Sequence, residues 1–341
     1  MAFEDTVLLE YQGHIVKLSV INAARARMPA RMLVHPVRES HEFLDLAVYS
    51  FLIESGHRDE KVLFDLGFME NLDGDMPPFL QALLAGETSM MSIDEIQHVP
   101  DQLISNGIAL ESINAAIWSH AHFDHVGSPA AFPSSTDLVV PNGLQIRCQN
   151  AEETDPERYM LSRAFKDRKV REIDFANSNT SIGGFRAIDF FRDGSFWLLD
   201  APGHTVNHMC ALARTTKDSW VLLAADACHN IASLRPSEFR PLPQSPTSYI
   251  QKASTPSNSA LEAPKCMCSV YGLAPQMHED LAAAERTLLK IKALDGRDDV
   301  IVILGHDATL LDVLPLFPRE LGDWRAKGFA DKARWLFLDN V

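Results

Sequence analysis

The sequence predicts an α/β fold, and three observations carry the prediction. Short apolar runs enriched in Val, Ile, Phe and Tyr, the residues of strands, alternate along the chain with helix-spaced amphipathic segments. No linker divides the 341 residues, so a single domain over residues 1–341 is expected, carrying insertions. The composition, 46% hydrophobic and 23% charged, is that of a globular chain able to bury a large core without staples.

Taken in order, residues 14–22, 44–54 and 61–67 read as strands, each a dense apolar run such as Val62-Leu63-Phe64. Residues 94–105 have a weaker helical spacing through Ile96, Val99, Leu103 and Ile104, broken by Pro100 and closed by the Asn106-Gly107 turn. Strands are expected at 113–119 and 137–141. Residues 151–170 are polar, with helical spacing at Tyr159, Leu161, Phe165 and Val170, and suit a surface helix or lid. Short strands follow at 185–191, 195–200 and 208–213, punctuated by Gly194, Pro202 and Gly203. Residues 220–226 form a buried strand ending in a carboxylate. The Pro- and Ser-rich stretch 235–265 reads as a long loop, a second lid insertion. An amphipathic helix at 278–294 and a strand at 300–306 ending on a histidine complete the pattern.

The bulk numbers exclude several partners. A formal charge of −15 opposes nucleic acid and anionic membrane surfaces. No apolar stretch reaches transmembrane length. Five irregularly spaced cysteines do not form a disulfide framework, and the start lacks the basic and apolar regions of a signal peptide, so a cytoplasmic location is expected. The partner expected is a small molecule, with the protein a monomer or homodimer.

The chemistry concentrates in His120-Ala121-His122-Phe123-Asp124-His125, three imidazoles and a carboxylate in six residues at a strand end. These ligand types suit zinc, iron or manganese. In an extended segment alternation puts His120 and His122 on one side, and Asp124 and His125 fall where Gly127 and Pro129 make the chain turn. Burying such a cluster is costly without a cation. Further along, His204 sits in Pro202-Gly203-His204-Thr205, Asp226 ends a strand, and His306 ends another before Asp307. Cys228 reads as a buried, inert thiol, and Cys266-Met267-Cys268 has too few partners for a zinc site. His208 and His278 have no motif around them; His35 and His41 are candidates for a pocket lining.

This order of residues resembles the metallo-β-lactamase-fold hydrolases over most of the chain, from Asp65-Leu66-Gly67 to His306-Asp307. The Asp226 strand and Leu304-Gly305-His306-Asp307 look most like N-acyl-homoserine lactonases. The tail Trp324-Arg325-Ala326-Lys327-Gly328 through Ala333-Arg334-Trp335 looks like fungal relatives that open lactams. The resemblance implies a four-layer αβ/βα sandwich, two mixed sheets flanked by helices, and a centre for two divalent ions, zinc foremost, with iron or manganese as alternatives. His120, His122 and His204 would hold the first metal and Asp124, His125 and His306 the second, with Asp226 bridging. Where the lactonases place a tyrosine, three residues after the bridging aspartate, this chain has His229.

The activity so implied is opening of a small lactone, γ-lactam or cyclic carbamate by a metal-bridging hydroxide. Asp124 would orient that nucleophile and carry its proton. His229 would hydrogen-bond the substrate carbonyl or protonate a leaving nitrogen. Asp65 is placed to hold a ligand imidazole in its tautomer. Tyr159, Phe165, Phe239 and Tyr249, in the two insertions, are expected to wall the pocket. The competing activities are a thioester hydrolase of the glyoxalase II kind and a mononuclear iron persulfide dioxygenase. The former is disfavoured by the lack of a recognisable basic C-terminal region, the latter by the full set of seven ligands.

Overall fold

Two sheets stacked face to face position everything that follows. The structure, a computed structural model, describes residues 10–37, 42–71, 74, 76–152, 155–242 and 269–340. In chain order the strands are β1 (Val16–Pro29), β2 (Val34–His35), β3 (Phe43–Ser55), β4 (Lys61–Phe64), β5 (Ser92–Ile96), β6 (Ile113–Ile117), β7 (Asp137–Pro141) and β8 (Val170–Ile173). They continue with β9 (Ser181–Ile182), β10 (Phe185–Asp189), β11 (Phe196–Asp200), β12 (Met209–Thr216), β13 (Ser219–Ala225), β14 (Gly272–Leu273) and β15 (Val300–Leu304). The first sheet runs β5-β1-β3-β4-β6-β7-β8 and the second β15-β13-β12-β11-β10-β9. Both are mixed: β4, β6, β7 and β8 pair in parallel, as do β13 and β15, and the other pairings are antiparallel.

The strand period of two sorts side chains between layers. In β13, Val221, Leu223 and Ala225 enter the core between the sheets, while Trp220, Leu222 and Ala224 face outward. The outward set packs with Ala284, Leu288, Ile291 and Leu294 of the helix Leu281–Asp295. Every residue of β13 is therefore buried, which explains its unbroken apolar run. On the other side Val99 and Leu103 of the helix Val99–Ser105, and Leu161 and Ala164 of Pro156–Phe165, cover the first sheet. The result is the expected four-layer αβ/βα arrangement. Each fully buried Val, Leu or Ile contributes roughly 1.5–3 kcal/mol. The chain after β15 closes the sandwich edge: Phe317 N–H donates to Val20 O and Leu321 N–H to Leu18 O, and Leu321 and Trp324 enter the inter-sheet core.

Several elements differ from expectation for identifiable reasons. Residues 94–105 divide into edge strand β5 and the helix Val99–Ser105, with Pro100 in the first turn, where a missing N–H leaves no bond unmade. Among the described residues the stretch 151–170 holds one short helix, Pro156–Phe165, capped by Asp155, and Val170 already belongs to β8. The helix expected from residue 278 begins at Leu281, because the Asp280 carboxylate accepts from Ala283 N–H at 2.9 Å and caps it there. Of the expected insertion 235–265, residues 243–265, Tyr249 among them, lie outside the described residues, as do His41, Cys266 and Cys268.

One buried ion pair ties three segments together. Arg235 donates to both Asp295 oxygens, at 2.9 and 2.6 Å, and to Arg334 O at 3.0 Å. Removing one partner strands a buried charge. Asp295→Ala is therefore expected to cost about 3–5 kcal/mol, read as a lower midpoint in thermal and urea unfolding.

Candidate metal centre

The site lies along one rim of the two sheets, where several strands end. Asp65 follows β4, the segment His120–His125 follows β6, Asp226 follows β13 and His306 follows β15. His204 lies in the loop from β11 to β12. β6 stops at Ile117, so strand alternation does not aim His120 and His122; they lie in irregular chain beyond the strand, and their rings converge all the same.

Local backbone sets the aim. Asp65 and Ala225 are non-glycine residues in the left-handed region, at φ 59° and 42°. Such conformations are costly and persist where surrounding structure holds them. Ala225 follows a register shift between β13 and β15, and its carbonyl accepts from Gly305 N–H at 2.8 Å. That irregularity turns Asp226 off the strand line into the site. Gly305 is required there, since a Cβ would lie 2.9 Å from Asp226 Oδ1. At Gly203, φ 139°, a Cβ would lie 2.2 Å from Ala284 N, so the His204 loop can press against the helix start only with glycine.

Two ligand groups result. His120, His122, His204 and Asp226 form one, and Asp124, His125 and His306 the other; within each, one donor atom per residue lies within 4.8 Å of the rest. His122 Nδ1 is 2.9 Å from both His120 Nε2 and His204 Nε2. A single ring proton can serve only one of those contacts. The other lone pairs face each other unless a cation lies among them. Asp226 lies between the groups: Oδ1 is 3.1 Å from His125 Nε2 and from His306 Nε2, and Oδ2 is 3.5 Å from His204 Nε2. His125 Nε2 and Asp226 Oδ1 are nevertheless buried without an aligned hydrogen bond. Converging imidazole nitrogens and carboxylate oxygens fit divalent metal ions.

Electrostatics follow from the burial. Burial, reinforced by neighbouring imidazoles, pushes His120 well below the usual imidazole range, and burial lowers His204 likewise. At His125 burial is outweighed by Asp226, Asp65 and Asp124, which hold the imidazole well above that range. His306 rises to about 8, again against burial, through Asp226 and Asp124. Burial alone would raise Asp226, but His306 and His125 hold its carboxyl well below the usual value.

A supporting layer orients these groups. Asp65 Oδ1 accepts from Ser119 N–H at 2.7 Å, and Oδ2 lies 2.8 Å from Ser119 Oγ and from His125 Nδ1. His306 Nδ1–H donates to Ala47 O at 2.9 Å. His208 was invisible to motif reading, yet its ring joins two elements. Its Nδ1–H donates to Ala201 O at 3.0 Å, and its Nε2 accepts from Asp226 N–H at 3.2 Å. Both bonds require neutral imidazole, and burial pushes its pKa down to about 3. Sequence offered no signal for it beyond the histidine itself. Cys228 and Cys210 are buried outside both groups; burial pushes the Cys228 thiol up to about 12, as befits an inert thiol.

The centre opens into a cavity of about 370 Å³. His122, Asp124, His204, Asp226, His229 and His306 form its polar end. Methionines dominate the rest: Met28, Met32, Met90, Met91 and Met277, with Phe123. Among the described residues no Lys or Arg lines it. Of the expected aromatic walls, the three among the described residues lie elsewhere. Phe165 lies tilted against Trp118 on the outer face of the first sheet, with Tyr159 packed against the same core cluster, and Phe239 abuts Gly296 at the end of the helix Leu281–Asp295. His35 is exposed in the ribbon of β2 with β14. His229 lies where the sequence suggested, its Nε2 3.3 Å from Asp226 Oδ2. His278, also without a motif, lines the same cavity, its ring centre 5.6 Å from those of His229 and His204. Burial pushes His278 down to about 4.

Fold and donor set together define an αβ/βα sandwich with a candidate metal centre at its rim. The chain matches the Metallo-beta-lactamase superfamily over residues 44–306, and it belongs to that family. It is 40% identical over 299 residues to the cytochrome P450 monooxygenase mpaDE' of Penicillium brevicompactum, covering 86% of this chain and 33% of that one. The chain thus spans about a third of that relative's length. It is 34% identical over 330 residues to gamma-lactamase FDB1 of Fusarium pseudograminearum (strain CS3096), covering 91% and 78%. The solved structure of an N-acyl homoserine lactone hydrolase, with N-hexanoyl-L-homoserine bound at its catalytic metal center, superposes with a TM-score of 0.61 at 18% identity, over 90% of this chain and 99% of that one. Among the described residues no helix is long and apolar enough to cross a membrane.

Two outcomes test this layer. Asp65→Ala should fold but bind metal roughly 10–100-fold more weakly in chelator competition. For the metal-free protein, His208 stays neutral in the folded state down to about pH 3, whereas the unfolded chain protonates near its ordinary value of 6.5. The unfolded state therefore gains protons first, and the stability held above pH 6.5 is lost as pH falls towards 3. His208→Gln should shallow that acid slope in urea titrations.

Proposed function

We propose that this protein is a dinuclear metal hydrolase that opens a small, uncharged cyclic ester or amide: a lactone, γ-lactam or cyclic carbamate. The observation that carries the reading is the junction of two ligand groups at one carboxylate, Asp226, facing a largely apolar cavity with no Lys or Arg among its described lining residues. Two divalent ions held there, by His120, His122 and His204 on one side and Asp124, His125 and His306 on the other, would lower the pKa of water towards neutrality and polarise a carbonyl. Zinc fits the donor set, and iron and manganese accept the same ligands.

The chain's own groups do the rest. Asp124 lies on the cavity wall with Oδ2 3.5 Å from His306 Nε2, where it would take a proton from the attacking water and deliver it to the leaving atom. His229, beside Asp226 on the same wall, donates a ring N–H to the substrate carbonyl or protonates a leaving nitrogen. Asp65, Ser119 and His208 keep His125 and the Asp226 backbone fixed. The methionine walls hold the apolar body of the substrate and exclude water. Thioether side chains are adaptable, which favours a family of related rings over a single one. Among the described residues the wall offers no Lys or Arg to a substrate carboxylate, which disfavours substrates that carry one. The gamma-lactamase relative supports an amide ring, and the lactone-hydrolase fold neighbour is compatible with an ester.

The decisive experiment exposes the metal-loaded protein to γ-lactones, γ-lactams, cyclic carbamates and thioesters, following proton release and thiol release together. Turnover of one uncharged ring class is expected, with two metals per chain. Asp226→Ala should lose far more than the roughly 10–100-fold that a supporting residue commands. Thiol release without ring opening would replace this reading with thioester hydrolysis.

A further inference from the structure

We propose that His278 is a substrate-reading residue: its imidazole hydrogen-bonds the polar edge of the ring bound in the methionine-lined cavity. The inference rests on the hydrolase reading for the nature of the ring, and on separate observations for the residue. His278 is 9% exposed, and neither ring nitrogen has a hydrogen-bond partner among the described residues. It belongs to neither ligand group. Buried polar atoms are paired in the great majority of cases, and an exception at a cavity wall points to a partner supplied from outside.

The chain holds this imidazole in place with care. Its neighbour Glu279 donates its backbone N–H to His204 O at 3.0 Å, and Asp280 donates to Gly203 O at 3.0 Å. The Glu279 carboxylate also accepts from Val206 N–H at 2.7 Å. On the other side the Gln276 amide donates to Arg31 O, in the short helix that brings Met32 and Leu33 to the cavity. His278 is thus fixed to the loop that carries His204, beside the reacting centre, by bonds that use its neighbours and leave its own ring free. A neutral imidazole offers one donor and one acceptor. It can donate to a lactone oxygen or accept from a lactam N–H, and either contact orients the ring relative to His229. The methionines can grip the apolar body but cannot tell one end of a ring from the other. His278 supplies that polarity.

The test compares wild type with His278→Phe, which keeps ring volume without hydrogen bonding, and His278→Gln, which restores a donor and an acceptor. The probes are 5-phenyl-γ-butyrolactone and phenylcyclopentane, the same body without a polar edge. Calorimetry gives Kd, steady-state kinetics give KM and kcat, and metal content is measured for each protein. The Phe variant should bind the lactone about tenfold more weakly, with the loss in KM exceeding that in kcat. Its metal content and its affinity for phenylcyclopentane should match wild type, and Gln should recover most of the lactone affinity. Equal lactone affinity in wild type and the Phe variant would overturn the proposal. So would a matching loss for phenylcyclopentane, which marks a distorted cavity, or a loss of metal, which makes His278 a support for the centre. If no ring is turned over but the Phe variant still weakens lactone binding selectively, the hydrolase reading fails and the assignment of His278 stands.

Discussion

A single carboxylate sets the terms for the rest of the molecule. Asp226 is almost wholly buried, with His125, His306, His204 and His229 all within 3.5 Å of its oxygens. A charge there has no water to stabilise it, so it must be met by positive charge and by fixed dipoles. Much around it serves that need. The register shift in β13 points it inward, His208 takes its backbone N–H, and Gly305 removes the side chain that would otherwise collide with it. The second sheet can therefore be regarded as a frame for one oxygen pair, and the first sheet as the frame for the histidines that answer it.

The polarity contrast across the cavity is the second theme. At one end lie six titratable groups of the ligand cluster, and beyond them the described wall is mainly thioether, leucine and phenyl, interrupted by Gln276, His278 and Glu279. Emptying water from such a space strengthens every electrostatic interaction at the charged end, because screening falls with the local dielectric. The apolar wall thus does more than hold the substrate; it raises the effectiveness of groups it never touches.

How much of this was legible in the chain depended on whether the signal was local. The strand runs were, because apolar alternation survives in a one-dimensional string, and β7 begins and ends where its residues predict. The seven ligand candidates were legible because His and Asp at strand ends stand out from their surroundings and because their order resembles a known family. The supporting layer was not. His208 and Ser119 act through partners 18 and 54 residues away, and nothing near them in sequence marks that pairing. The cavity was least legible of all. Aromatic residues in the 151–170 stretch suggested a lid, but the helix there packs on the outside of the first sheet, because Leu161 and Ala164 find a larger apolar surface there. Among the described residues the walls are largely methionines from three stretches of chain, and methionine carries no periodic signal that distinguishes a pocket from a core.

The chain beyond β15 gives the molecule a different boundary from that of the superfamily match. The family match ends at His306, and it begins at Leu44, after β1. Yet β1 is the second strand of its sheet, and Leu321 and Trp324 lie in the core between the sheets, bound to it through Leu18 and Val20. The part that the superfamily match spans and the part that folds are thus different lengths of polypeptide. A fragment cut at Leu44 and His306 would keep all seven ligand candidates and lose the strand and the clasp that close the sandwich around them. Segments outside that match act as the seam that holds the ligand cluster shut.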